Sequence, residues 1–143
     1  MEQVMLLGFL SICALEDLLK KQMHLFYIIG FALLGIGIQI YEGRLELEKI
    51  LLASLLGVVV CILGKFSDER VGIGDGAMLI TTGIYLGFWE NTLVFWLASM
   101  GAALVGMLLY IIFRKPSYYR IPFAPFLLGA YLLVLMIGEG GIV

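Results

Sequence analysis

The sequence contains few charged residues for its length. Of its 143 residues, 14% are charged and 62% are hydrophobic, whereas soluble domains average about 25% charged and about 45–50% apolar residues. A soluble globule of this size would have to expose much of its apolar excess to water. The composition therefore excludes an ordinary soluble domain.

Basic residues and cysteines are also scarce. The chain has 9 lysines and arginines against 11 acidic residues, which gives a net charge of −2, so it lacks the basic field that attracts nucleic acid. Its two cysteines, Cys13 and Cys61, lie inside apolar runs. They are too few for a disulfide-stabilised secreted domain or for a structural zinc site, which needs four ligands.

Glycines and long apolar runs are abundant instead. The 18 glycines fit a polytopic membrane protein, because small residues let membrane helices pack closely. A helix needs about 20 mainly apolar residues to cross a hydrocarbon core of ~30 Å. We therefore predict an all-α protein with one transmembrane domain over residues 1–143 and six spans. The predicted spans are Val4–Leu19, Leu25–Tyr41, Ile50–Gly64, Val71–Trp89, Thr92–Phe113 and Ile121–Gly138.

The basic residues predict the orientation of these spans. Seven of the nine lie in the joints after the first, third and fifth spans, and only Arg44 and Lys49 lie elsewhere. Since lysine and arginine are enriched in cytoplasmic loops, we expect both termini outside and those three joints in the cytoplasm. The first span is expected to be retained, because Glu2 is the only early charge and a signal peptide begins with a basic region.

Three acidic residues lie at the ends of spans rather than in joints. Glu16 and Asp17 end the first span, and Asp75 begins the fourth. Ionisable residues in such positions are the usual functional candidates of a membrane protein. The second and third spans separate Asp17 from Asp75, so both carboxylates are expected near the cytoplasmic face. Two carboxylates at close range can share one proton and activate a water molecule.

Glycines surround Asp75 in the segment Gly72-Ile73-Gly74-Asp75-Gly76. Because glycine costs a helix about 1 kcal/mol relative to alanine, we predict that this segment does not begin as regular helix. Only 14 residues run from Gly76 to Trp89, or about 21 Å of helix, so the glycine segment is expected to lie at membrane depth and to line a water-filled cavity. The alternative interpretation is an interfacial turn with an incidental acid.

These features resemble the type IV prepilin peptidases, aspartyl proteases of the inner or cytoplasmic membrane that carry a Gly-x-Gly-Asp motif. Gly72-Ile73-Gly74-Asp75 fits that motif, and Asp17 matches the family's first catalytic aspartate at the cytoplasmic end of the first span. The segment Ile121–Leu127, with Pro122 and Pro125, is similar to the Pro-Phe-x-Pro-Phe sequence that begins the family's last helix. The resemblance covers the whole chain in order.

The resemblance implies an endopeptidase with Asp17 and Asp75 as its catalytic pair, supported by Gly72, Gly74, Gly76, Pro122 and Pro125. It implies a substrate in the lipid bilayer, a type IV pilin or pseudopilin-like precursor with a basic leader and a hydrophobic helix. Neither a metal nor an organic cofactor is expected. The family's larger members also methylate the new N-terminus and carry an insertion with four zinc-binding cysteines. This chain has no such insertion, which argues against methyltransferase activity.

This chain departs from the family's sequence at two places, which leaves the substrate preference of this chain open. Met23-His24-Leu25 replaces a common Ile-Pro-Asn, and Ala77 replaces a common lysine. Glu16, Asp68 and Glu69 are candidates to attract the basic leader. The alternative for Asp68 and Glu69 is a solvated turn. Glu16 is also the alternative to Asp17 for the first catalytic role, or else an interfacial or supporting acid. The spacing of Gly83 and Gly87, like that of Ala98, Ala102 and Gly106, predicts faces for close helix packing.

Two other functions fit the same composition. A small proton- or cation-coupled transporter would use Asp17 and Asp75 as its binding groups, although no internal repeat relates the halves of the chain as in many transporters. An inert scaffold would only pack against partner helices. The particular pilin, the export system and the oligomeric state do not follow from the sequence.

Overall fold

The computed structural model describes residues 2–20, 24–43, 46–66, 72–114 and 121–139. Over these ranges the chain forms five α-helices and no strand, which confirms the all-α prediction. The helices are α1 (Glu2–Lys20), α2 (Leu25–Tyr41), α3 (Leu47–Phe66), α4 (Ile73–Ile111) and α5 (Ala124–Glu139).

Helix α4 reverses direction at Gly87. This residue has φ 77° and ψ 178°, a conformation that is essentially restricted to glycine. The side chain of Asn91 donates a hydrogen bond to the carbonyl of Leu79 at 3.0 Å, although 12 residues of straight helix would separate the two by about 18 Å. Residues 73–86 and 88–111 are therefore the two limbs of a helical hairpin.

The position of this reversal corrects two predictions. The polar pair Glu90–Asn91 was expected to form the joint, but Asn91 is fully buried between the limbs, where its Oδ1 accepts a hydrogen bond from Thr82 Oγ1 at 2.7 Å. Gly87 was expected in a packing face, but apart from its neighbours in the chain no atom of the described residues lies within 4 Å of the position a Cβ would occupy there. Its role in the structure is the turn itself.

Close glycine contacts join α3 to the first limb of α4. Among the described helices, α3 and α4 form the most extensive pair. A Cβ on Gly57 would lie 2.5 Å from the backbone nitrogen of Ile80, and one on Gly83 would lie 2.6 Å from the carbonyl of Ala53. A Cβ on Gly76 would lie 2.7 Å from the backbone nitrogen of Cys61. Such contacts allow backbone-to-backbone packing without intervening side chains. The first limb of α4 is thereby held against α3.

The core lies where α1, α4 and α5 meet. On α1 the buried residues recur with helical spacing and so form one stripe. The stripe consists of Leu6, Phe9, Leu10, Cys13, Ala14 and Asp17. From α4 and α5 the core receives Met78, Leu79, Val94, Leu127 and Tyr131, all nearly inaccessible. The inward face of α1 therefore ends on a carboxylate.

The outer faces of the helices are apolar. Large hydrophobic side chains remain exposed on every helix, among them Val4, Phe26, Phe66, Trp96 and Met136. By length and apolar composition, α3 and α4 are each able to cross a membrane when both limbs of α4 are counted together, while α2 and the stretch Ala124–Gly138 are apolar but shorter. Extended apolar surface of this kind favours contact with lipid, so the structure supports membrane association.

Candidate functional site

Asp17 is buried at the end of the inward stripe of α1. Only 4% of the residue is exposed, and its Oδ2 accepts a hydrogen bond from the backbone N–H of Ala124 at 3.0 Å. Ala124 is the first residue of α5, so its N–H has no partner within that helix. A carboxylate at this position satisfies the free N–H and interacts favourably with the helix dipole. Asp17 therefore connects the end of α1 to the start of α5.

The two prolines define where α5 begins. Pro122 precedes the helix and Pro125 is its second residue, a position where the missing N–H of proline costs no helical hydrogen bond. The carbonyl of Phe123 accepts the N–H groups of Phe126 and Leu127 at 3.0 and 3.1 Å. The predicted last span began at Ile121, but the helix begins at Ala124. The proline-containing segment thus presents the Ala124 N–H to Asp17.

Asp75 lies in the first turn of α4. The helix is preceded by Gly72 in an extended conformation (φ −69°, ψ 131°), and the N–H of Asp75 donates to the Gly72 carbonyl at 3.0 Å. Gly74 and Gly76 are helical, so the prediction of a non-helical glycine segment is wrong from Ile73 onward. Packing of Gly76 against α3 outweighs the low helix propensity of glycine.

A cavity of about 250 Å³ lies beside Asp75. Its lining comes from α3, both limbs of α4 and the residue before α5. The lining residues are Val60, Leu63, Asp75, Phe95, Ser99 and Phe123. Among them, Asp75 and Ser99 are the polar ones. The rings of Phe95 and Phe123 meet edge to face with centroids 6.3 Å apart.

The dipeptide Phe123-Ala124 links the two acidic residues. Phe123 lines the cavity that contains Asp75, and the next residue, Ala124, donates its N–H to Asp17. Asp17 is in the last turn of α1 and Asp75 in the first turn of α4. The structure therefore brings both carboxylates to the same end of the helix bundle, near the start of α5.

Glu16 faces away from this segment. Its Oε1 is 3.0 Å from His24 Nδ1, and its Oε2 accepts the His24 backbone N–H at 3.4 Å. His24 immediately precedes α2, so the pair holds the α1–α2 connection. Neighbouring residues on a helix point about 100° apart, which explains why Asp17 is directed inward and Glu16 toward the connection.

The remaining candidates have different positions. Asp68 and Glu69 lie outside the described residues. Cys13 and Cys61 are free thiols; Cys13 is in the core, whereas Cys61 is packed against Gly76. Within the described part of the chain, no three His, Cys, Asp or Glu side chains are grouped to hold a metal ion.

A second cavity, of about 270 Å³, lies at the Gly87 end of the bundle. Its polar lining residues include Glu2, Gln39, Glu46 and Lys49. Lys49 forms an exposed ion pair with Glu46 at 2.8 Å, and the Gln39 amide donates to the Ile84 carbonyl. This cavity is separated along the hairpin from the cavity that contains Asp75.

Sequence reasoning missed Ser99, Phe95 and the α3 residues of the Asp75 cavity. Ser99 can be identified from the sequence only when the reversal at Gly87 is known. Asp75 precedes Gly87 by 12 residues and Ser99 follows it by 12, so the two residues lie at the same level of the hairpin.

Comparisons of the chain with protein-family models, curated proteins and solved structures found no match. The proposed function therefore depends on the geometry around Asp17 and Asp75.

Proposed function

We propose that this chain is an intramembrane aspartyl endopeptidase in which Asp17 and Asp75 form the catalytic pair. The observation that carries the proposal is that two consecutive residues contact the surroundings of both acids: Ala124 donates its N–H to Asp17, and Phe123 lines the cavity that contains Asp75. The reaction needs two acids within reach of one water molecule, and the contacts of these consecutive residues support the proximity of Asp17 and Asp75.

The proposed reaction is peptide hydrolysis by a water molecule between the acids. The pair shares one proton, because two carboxylates at close range do not both ionise. The ionised acid removes a proton from the water, whose oxygen attacks the scissile carbonyl carbon, while the protonated acid donates to the carbonyl oxygen. The resulting gem-diol collapses as the nitrogen is protonated and the C–N bond breaks. One water is consumed, and no metal or organic cofactor takes part.

The proposed setting is a cell membrane crossed six times. The reversal at Gly87 supports this count, because it divides α4 into two limbs and gives six helical segments. Seven of the nine basic residues lie in the joints that follow the first, third and fifth predicted spans, which supports a cytoplasmic location for the ends of the spans that carry Asp17 and Asp75. The first limb of α4, residues 73–86, has a length of about 21 Å, short of a ~30 Å hydrocarbon core. A short limb supports access of water to Asp75.

The proposed substrate is a type IV pilin or pseudopilin-like precursor with a basic leader followed by a hydrophobic helix. Such a chain would place its leader at the cytoplasmic surface and its helix in the lipid, with the junction beside the two acids. The mostly apolar lining of the Asp75 cavity suits the start of a hydrophobic helix better than a charged leader.

The test is cleavage of a membrane-embedded precursor by the purified chain in lipid vesicles. Asp17→Asn and Asp75→Asn are each expected to abolish cleavage. Glu46→Gln is the matched control, because Glu46 is exposed at the opposite end of the bundle, and it is expected to keep full activity. Loss of activity in the control, or its retention in either aspartate variant, would contradict the proposal.

The second cavity favours one alternative, a proton- or cation-coupled transporter with a cavity at each end of the bundle. Between the cavities, Leu79, Thr82 and Asn91 are fully buried and hydrogen bonded across the hairpin. A transporter would move a proton or cation across vesicles without cleaving any precursor, and both aspartate variants would stop that flux. Vesicle flux and precursor cleavage measured on the same preparation distinguish the two functions.

A further inference from the structure

Ser99 and Asp75 occupy equivalent levels on the two limbs of the α4 hairpin. Each is 12 residues from the turn at Gly87, or about 18 Å along its limb, and the limbs run antiparallel. Both residues line the same cavity of about 250 Å³. The hairpin thus brings one hydroxyl group to the carboxylate proposed as catalytic.

The Ser99 hydroxyl differs from most other hydroxyls on the helices. Ser11, Thr81 and Thr92 each donate to the carbonyl four residues earlier, at 2.7, 3.2 and 2.6 Å, the usual way for such a group to satisfy itself in a helix. Ser99 makes no such bond to the residues that the structure describes. Its donor remains available to a molecule in the cavity, where every lining residue other than Ser99 and Asp75 has an apolar side chain.

A peptide segment that enters an apolar cavity at membrane depth must have its carbonyl and N–H groups hydrogen bonded, because each unsatisfied group costs several kcal/mol there. We propose that Ser99 positions the substrate by donating its Oγ–H to a backbone carbonyl next to the scissile bond. This inference rests on the proposed endopeptidase function. The site recognises the peptide backbone, so the contact is independent of the side chains next to the cleaved bond.

The experiment compares kcat and KM for precursor cleavage by the wild-type chain, Ser99→Ala, Ser99→Thr and Ser54→Ala. Ser54 is the matched control, because it is a helical serine of α3 outside the cavity. The loss of one neutral hydrogen bond to the bound substrate is expected to raise KM about 2- to 12-fold in Ser99→Ala. The substrate complex and the transition state both lose this contact, so kcat is expected to change little. Ser99→Thr keeps a hydroxyl group and is therefore expected to have the KM of the wild type. Ser54→Ala is expected to leave both constants unchanged.

A binding measurement separates this proposal from the endopeptidase function. The affinity for intact precursor is measured in the Asp75→Asn background with and without Ser99→Ala, and the second substitution is expected to weaken binding by the same factor as it raises KM. If the wild-type chain cleaves no precursor, the endopeptidase function fails, whatever the binding. If cleavage depends on Asp75 but Ser99→Ala alters neither KM nor affinity, or Ser99→Thr is as impaired as Ser99→Ala, the role of Ser99 is overturned.

Discussion

At the scale of single residues, the environment of Asp17 explains why an acid is tolerated in the core of an apolar bundle. The carboxylate occupies the last position of the inward stripe of α1 and takes the free N–H at the start of α5. It therefore has a structural role, helix attachment, in addition to the proposed catalytic one. The two roles are separable because asparagine retains an oxygen acceptor but not the acid chemistry.

The structural role of Asp17 gives the first prediction. Asp17→Ala leaves the buried Ala124 N–H without its acceptor and is expected to lower the free energy of unfolding by about 1–3 kcal/mol. Asp17→Asn is expected to lower it by less, because the amide oxygen can accept the same N–H. Denaturant titration in detergent micelles checks both values. Equal destabilisation by the two variants would show that the hydrogen bond contributes little.

The sequence could select Asp17 over Glu16 in part. The spacing of Leu6, Leu10, Cys13 and Asp17 defines one face of a helix, and the structure buries that face. The hydrogen bond to Ala124 could not be predicted in this way, because it joins residues 107 positions apart in the chain. The position of Ser99 opposite Asp75 depends on the location of a turn, so residue patterns alone did not reveal it.

At the scale of elements, α4 is the part of the structure that most affects the site. Its hairpin supplies Asp75 from one limb and Phe95 and Ser99 from the other. Polar residues usually mark a joint between spans, and for that reason the turn was expected at Glu90–Asn91. Asn91 is instead buried, with hydrogen bonds to the Leu79 and Ala53 carbonyls, and the residue that permits the reversal is a glycine.

The glycine contacts give a second prediction, on Gly76. Gly76→Ala would force a Cβ into the backbone of Cys61 and the carbonyl of Gly57, 2.7 and 2.8 Å away, and overpacking of this kind costs about 1–3 kcal/mol. Gly129→Ala is the matched control, because that helical glycine has no atom within 4 Å of its Cβ position. It is expected to leave stability unchanged or to raise it. Thermal unfolding in micelles measures both, and equal midpoints would contradict the tight α3–α4 contact.

A third prediction concerns the turn itself. Gly87→Ala places a side chain at φ 77°, a conformation that costs a non-glycine residue about 1–3 kcal/mol. The variant is expected to unfold more readily than wild type even though space is available for the added methyl group. Denaturant titration tests this against the same Gly129→Ala control. An unchanged free energy of unfolding would mean that the backbone at residue 87 is not held in this conformation.

At the scale of the whole molecule, the proposed topology places the two acids at one membrane face and the Gly87 turn at the other. The apolar composition predicted a helical membrane protein, and the helices found in the structure agree with that class. The proposed six crossings require that each limb of the α4 hairpin crosses the membrane, although the first limb is shorter than an ordinary span. Labelling of single cysteines from outside the cell tests this requirement.

The labelling prediction uses Trp89 and Lys65, both exposed and near opposite ends of the bundle. In a chain with Cys13→Ala and Cys61→Ala, Trp89→Cys is expected to react with a membrane-impermeant thiol reagent on intact cells. Lys65→Cys is expected to react only after the membrane is permeabilised. Reaction of both from the same side would contradict the six-span topology.

The central claim is that Asp17 and Asp75 act as one catalytic unit. Its most direct test is precursor cleavage by the wild-type chain, Asp17→Asn, Asp75→Asn and the double variant, with folding of each checked by its unfolding midpoint. Residues that act together show strongly non-additive effects, so each single variant is expected to lose as much activity as the double variant. Separate, additive losses, or a folded single variant that still cleaves the precursor, would contradict the account.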